Sequence, residues 1–181
     1  KCIRPVLAIM VSDAMGWKRK NILPAACAVE MIHTYSLIHD DLPAMDDDDM
    51  RRGKPSNHKA FDEATAILAG DALQTSAFEL LARQTPDPLL ATKLILTLTQ
   101  AAGANGMVAG QILDLQKTSS VQNIHEKKTG ALLSAAAKMG AISAGGTTRQ
   151  INAIETYGKS IGLAFQIADD ILDRSSTCLL Y

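Results

Sequence analysis

An all-α bundle around a central cavity is the fold this sequence predicts, and three observations point to it. Apolar residues make up 47% of the 181 residues and aromatics only 4%. That mix, rich in Ala, Leu, Ile and Met, favours helix packed on helix over strands. Apolar positions recur at helical spacing, and no stretch alternates with the two-residue period of a half-buried strand. Proline and glycine punctuate the apolar stretches into helix-sized segments. At 181 residues, one domain spanning residues 1–181, with a sizeable core, is the simplest organisation.

The spacing predicts a first helix over Cys2–Met15, ended near Gly16. Ile22–His39 is a long apolar helix with Pro24 in its first turn, where proline costs no hydrogen bond. Pro43 follows, so Asp40 and Asp41 stand at its C-terminal mouth. Met50–Lys59 is a polar loop carrying Gly53 and Pro55. Asp62–Arg83 is helical in spite of Gly70, and Pro86 and Pro88 stop it. Leu89–Ala102 and Gly106–Leu115 make two further helices, followed by a polar linker at Lys117–Val121. Ile124–Ala144 is an Ala-rich helix broken by Gly145-Gly146, and Gln150–Asp173 supplies the last helical stretch.

Composition narrows the function. A net charge of −1 argues against a general nucleic-acid binder. No run of roughly 18 uncharged apolar residues suggests a membrane span, so no stable membrane anchor is expected. The three cysteines (Cys2, Cys27, Cys178) are scattered without metal spacing and fit the reduced thiols of a cytoplasmic protein. The chain starts at Lys1 rather than Met, so a preceding segment is expected.

Two aspartate-rich clusters carry the chemistry. The first is Asp40, Asp41 and Asp46, continuing through Asp47, Asp48 and Asp49; the second is Asp169, Asp170 and Asp173. Each closes an apolar helix. Carboxylates buried there without a partner would be strongly unfavourable, so a cation is expected between them. Mg²⁺, a hard ion that takes carboxylate and phosphate oxygens, fits best. Gln166, Asp169, Asp170 and Asp173 fall at i, i+3, i+4 and i+7, one stripe of one helix. A solvated surface stripe is the bland alternative, and Asp47–Asp49 could be only a solvated charge run. His33 shares a face with Asp40 and either reaches the cavity or is a core histidine. Arg51 and Arg52 either pair with the carboxylates or grip diphosphate oxygens through their guanidinium forks. Lys1 and Arg4 add basic groups at the start of the first helix. Lys128-Thr129 could contact a phosphate or lie on the surface.

These residues resemble the trans-isoprenyl (polyprenyl) diphosphate synthases, most nearly the bacterial farnesyl-making type. The resemblance runs through Lys1–Pro5, His33–Asp46, Asp49–Pro55, Leu68–Leu73, Gly110-Gln111, Lys128–Gly130 and Phe165–Asp173, in order and at matching spacing. It implies an isoprenoid-synthase-type helical bundle, a homodimer, and about two or three Mg²⁺ ions. The implied reaction joins isopentenyl diphosphate to an allylic diphosphate, dimethylallyl or geranyl, to make farnesyl diphosphate. Asp40, Asp41, Asp46, Asp169, Asp170 and Asp173 would hold the metals, and Arg51, Lys128, Thr129 and Gln166 would line the allylic diphosphate. Among them Asp40, Asp41, Asp46, Arg51, Lys128 and Asp169 would be catalytic. Lys1, Arg4, His33 and Arg52 would bind the diphosphate of isopentenyl diphosphate. The family's N-terminal helix and its helices beyond the second cluster are missing from these 181 residues.

Tyr35 stands five residues before Asp40, roughly 7–8 Å deeper along the helix. It is either the floor that stops a growing prenyl tail, as an aromatic is in farnesyl-making members, or a core residue. A geranylgeranyl synthase is the alternative product reading. A class I terpene cyclase fits less well, because its second metal motif differs. A non-catalytic synthase subunit fits less well because both acidic clusters are intact.

Overall fold

The computed structural model describes residues 2–16, 21–117 and 119–177; the side chains at 169, 170 and 173–177 also lie outside the described residues. Helix α1 (Ile3–Ala14) packs on α2 (Leu23–Asp40). A hairpin of β1 (Met50–Arg51) and β2 (Lys54–Pro55) and the single turn α3 (Asn57–Ala60) lead to α4 (Glu63–Gln84). Then come α5 (Pro88–Ala102), α6 (Met107–Gln116) and α7 (Val121–His125). A π-helical turn (Glu126–Gly130) runs directly into α8 (Ala131–Ser143), and α9 (Thr148–Thr177) follows.

Local chemistry explains the boundaries. Pro24 and Pro88 sit in the first turns of α2 and α5, where the missing N–H is no loss. The Asp62 carboxylate caps α4 by accepting from the Thr65 amide at 2.7 Å, and Asp87 caps α5 through Leu89 at 2.9 Å.

Helix α8 is the hub: α1, α2, α5 and α9 all pack against it. Leu132, Leu133 and Met139 are fully buried there, interleaved with Ala135, Ala136 and Ala137. Small residues let the neighbouring backbones close in. A Cβ on Gly140 would stand 2.5 Å from the Ala8 carbonyl oxygen of α1, and one on Gly158 of α9 would stand 2.8 Å from the Ser134 Cα. The second main seam joins α2 to α4, with Ile32, Val29, Ala77 and Leu81 in the same core.

The all-α expectation holds, with three differences of detail. The predicted loop Met50–Lys59 contains the hairpin, antiparallel with Met50 opposite Pro55 and Arg51 opposite Lys54. Its turn residues Arg52 and Gly53 have φ of 53° and 77°, the paired positive values of a tight hairpin turn. The predicted helix Ile124–Ala144 is interrupted by the π turn, where one extra residue shifts the face. The last helix starts at Thr148 and extends to Thr177, longer at both ends than Gln150–Asp173.

Candidate active site

Helix α2 ends where the first acidic cluster begins. Past Pro43 the chain folds back, and the Asp46 amide donates to the Asp40 carbonyl at 2.9 Å. The backbone thus holds Asp46 beside Asp40 across the proline. Asp41 is 2% exposed, and its carboxylate accepts from Arg51, through Nε at 2.9 Å and also through Nη2. The same Nη2 reaches the Asp48 Oδ2 at 2.9 Å. The hairpin therefore returns Arg51 to the carboxylates that precede it.

Beside these groups lies a cavity of about 400 Å³. Its polar wall is built by Arg4 of α1, His33 and Asp40 of α2, Gln111 of α6, and Lys128 and Thr129 of the π turn. Tyr35, Met45, Met107, Ile112 and Leu115 supply an apolar wall. Gly110 explains how the π turn reaches it, since a Cβ there would stand 2.2 Å from the Lys128 amide nitrogen. Helix α6 can press against that backbone only because position 110 has no side chain.

Buried groups of opposite charge stand close together here. Burial pushes the Asp40 carboxyl up to about 6, with Asp46 and Asp41 adding to the rise and Lys128 and Arg51 opposing it. Burial draws the Arg4 guanidinium down to about 10, partly offset by Glu30. Among the described residues, Arg4 Nε and Gln111 Nε2 find no hydrogen-bond partner in spite of their burial. Burial, then Arg4 and Arg52, holds the His33 ring down at about 3, so it is neutral at ordinary pH. Burial followed by Asp40 raises the Tyr35 phenol. Lys128 Nζ meets the Asp114 Oδ2 at 2.7 Å.

Oxygen-rich donors with a buried carboxylate at their centre suit a hard divalent ion such as Mg²⁺. Asp40, Asp41 and Asp46 offer such oxygens on the first cluster. Among the described residues, the groups that already converge within 4.8 Å are Asp47, Asp49 and His58 instead. Lys59 Nζ lies 2.9 Å from the Asp49 Oδ1, and the His58 Nδ1 pairs with the Ser56 hydroxyl at 3.2 Å.

The cavity brings together Arg4, His33, Tyr35, Asp40, Lys128 and Thr129 of the residues expected from sequence. Asp41, Asp46 and Arg51 do not line it: Asp46 is tied to Asp40 by backbone and Arg51 to Asp41 by its guanidinium, whereas Arg52 is exposed in the hairpin turn. Gln166 is half-buried on α9 and is not part of the cavity wall. Lys1 and the side chains of Asp169, Asp170 and Asp173 lie outside the described residues. Sequence reasoning assigned no role to Gln111, Asp114 or His39. The first two are three residues apart on α6, and that spacing after Gly110 was the available signal. A larger cavity of about 700 Å³ lies between α5, α7, α8 and α9 and holds none of these groups.

An acidic helix end, basic side chains and an apolar hollow thus share one site in this bundle. The polyprenyl synthetase family model matches residues 1–178, and the chain belongs to that family. It is 48% identical over 182 residues to the farnesyl diphosphate synthase of Bacillus subtilis (strain 168), covering 96% of this chain and 62% of that protein. It is 50% identical over 183 residues to geranylgeranyl pyrophosphate synthase 7, chloroplastic, of Arabidopsis thaliana, covering 96% and 53%. An FPP/GFPP synthase structure from Zymomonas mobilis superposes with a TM-score of 0.90 at 44% identity, over 96% of this chain and 66% of that one. The chain thus spans less than two thirds of the length of these relatives. Among the described residues, no helix is long and apolar enough to cross a membrane.

Proposed function

We propose that this protein is a trans-prenyltransferase that condenses isopentenyl diphosphate with dimethylallyl or geranyl diphosphate to make farnesyl diphosphate. The observation that carries this reading is one cavity with Arg4, His33, Asp40, Lys128 and Thr129 against Tyr35 and Met107. It offers diphosphate-binding groups and an apolar channel in the same space.

Asp40, Asp41 and Asp46, together with Asp169, Asp170 and Asp173 by family likeness, would hold Mg²⁺. When bound, magnesium neutralises charge on the allylic diphosphate. Lys128, Thr129, Arg51 and Gln166 grip that diphosphate, and the cationic groups favour the charge that builds on it as its C–O bond breaks. Lys1, Arg4, His33 and Arg52 hold the diphosphate of isopentenyl diphosphate, with His33 serving as an uncharged hydrogen-bonding ring. The apolar wall excludes water from the allylic cation. The double bond of isopentenyl diphosphate attacks, a C–C bond forms, and the departing diphosphate takes the proton. No side chain is needed as general base.

Tyr35 favours farnesyl diphosphate, because its ring lines the cavity below Asp40. The likeness to a geranylgeranyl pyrophosphate synthase supports the longer product as the second reading. A homodimer is part of the proposal: Phe61, Leu68, Leu89 and Leu96 leave apolar surface exposed on α4, α5 and the turn before them. Exposed free thiols at Cys2 and Cys27 support a cytoplasmic setting.

The test is incubation with Mg²⁺, labelled isopentenyl diphosphate and either allylic diphosphate, followed by chromatography of the products. A linear farnesyl diphosphate is expected. A cyclic hydrocarbon would mean a cyclase, and no turnover would mean a non-catalytic subunit.

A further inference from the structure

Tyr35 is not positioned by α2 alone. Its ring meets the His39 ring edge-on, with centroids 5.7 Å apart and planes at 77°. The two residues are four apart on one helix and share a face. His39 is held in turn from α4, where its Nε2 lies 3.0 Å from the Ile67 carbonyl oxygen. A carbonyl only accepts, so Nε2 carries the hydrogen and donates it.

Gly70 makes this contact possible. A Cβ there would stand 2.1 Å from the His39 Nε2, 2.5 Å from Cδ2 and 2.8 Å from Cε1. All three nearest atoms belong to one imidazole, so that ring is what a larger residue would displace. Glycine weakens the interior of a helix, yet position 70 lies within the 22 residues of α4. The imidazole needs that space.

We propose that Gly70 and His39 are specificity-determining positioning residues: α4, acting through the imidazole, sets the orientation of the Tyr35 ring and thereby the length at which the prenyl chain stops. This rests on the reading of Tyr35 as the cavity floor. His39 also lines the cavity, and its part in this proposal is to orient Tyr35, not to touch the reacting atoms.

Gly70→Ala tests it, because the nearest atoms a new methyl would meet are those of the His39 ring. The ratio of longer to shorter product should rise about two- to tenfold, the range set by losing one aromatic edge contact. His39→Ala should shift the ratio in the same direction. Gly70→Ala added to His39→Ala should change the ratio no further, since no ring remains to be displaced. Tyr35→Ala runs in parallel. If it lengthens the product while Gly70→Ala and His39→Ala keep the wild-type ratio, the floor stands and the positioning role is overturned. If Tyr35→Ala itself leaves the product unchanged, the floor reading fails and takes this inference with it. Ring resonances of labelled tyrosine give a readout independent of turnover. Gly70→Ala should move the Tyr35 signal and leave Tyr157 in place; an unmoved Tyr35 signal would refute the coupling.

Discussion

Removing Arg51 should expose how much the acidic cluster depends on a built-in cation. Asp41 is 2% exposed and takes two hydrogen bonds from one guanidinium, which also holds Asp48. Breaking a buried pair by removing one partner costs ~3–5 kcal/mol. The Arg51 side chain is 35% exposed, so water already screens part of that interaction. Arg51→Ala should therefore destabilise the fold by about 1–3 kcal/mol, mostly as the penalty of leaving Asp41 charged and unpaired. That corresponds to a fall in Tm of roughly 3–10 °C for a domain of this size. Urea denaturation followed by circular dichroism at neutral pH gives the number. Asp41→Asn in the Arg51→Ala background should recover much of the loss, because no buried charge then remains. Added Mg²⁺ should stabilise Arg51→Ala more than the wild type. If Arg51→Ala unfolds at the wild-type urea midpoint, or Asp41→Asn restores nothing, the ion pair is not what holds this cluster together.

Three further outcomes follow from the geometry. His33 titrates near 6.5 when unfolded and near 3 when folded. Its contribution to stability is complete above about pH 6.5 and is lost as pH falls towards 3, up to about 2 kcal/mol at pH 5 before solvent screening lowers it. His33→Gln should flatten that acid limb in pH-dependent denaturation, and superimposable wild-type and variant limbs would contradict the buried neutral ring. Gly140→Ala would drive a methyl to 2.5 Å from the Ala8 carbonyl oxygen, so thermal unfolding should show a loss of about 1–3 kcal/mol. Wild-type stability would mean that α1 and α8 are not so closely apposed. Lys128→Met should lower kcat by roughly 10²–10³ in the condensation assay, the usual cost of losing a group that stabilises developing negative charge. An unchanged kcat would remove Lys128 from the reaction.

Sequence and structure agree best where the signals are local. Pro24, Pro88, Asp62 and Asp87 mark helix starts through their own backbone or cap chemistry, so α2, α4 and α5 were readable within a residue or two. The site was readable only in part. Asp40 and Asp46 are joined by a backbone hydrogen bond across Pro43 that no periodicity encodes. The Arg51–Asp41 contact needs the hairpin turn, which depends on Arg52 adopting positive φ, a conformation its residue type does not advertise. Gln111 stood in the sequence only as part of the Gly110-Gln111 match, because a single amide on an apolar helix declares no role until the opposite wall is known. The π turn was invisible for a related reason: Ala-rich sequence on its C-terminal side supports either ladder equally well. The positioning link from Gly70 to Tyr35 joins two helices, so only coordinates reveal it.

The wide turn at Glu126–Gly130 also makes the chain sensitive to a very small genetic event. Losing one codon there would let an ordinary α ladder run unbroken from α7 into α8. Because the wide turn already absorbs its extra residue, the helices on either side would keep their faces. The change would fall on the five residues of the turn, whose Lys128 and Thr129 line the cavity and would lose the backbone that presents them. Such a deletion would leave a bundle that assembles around a recast cavity wall.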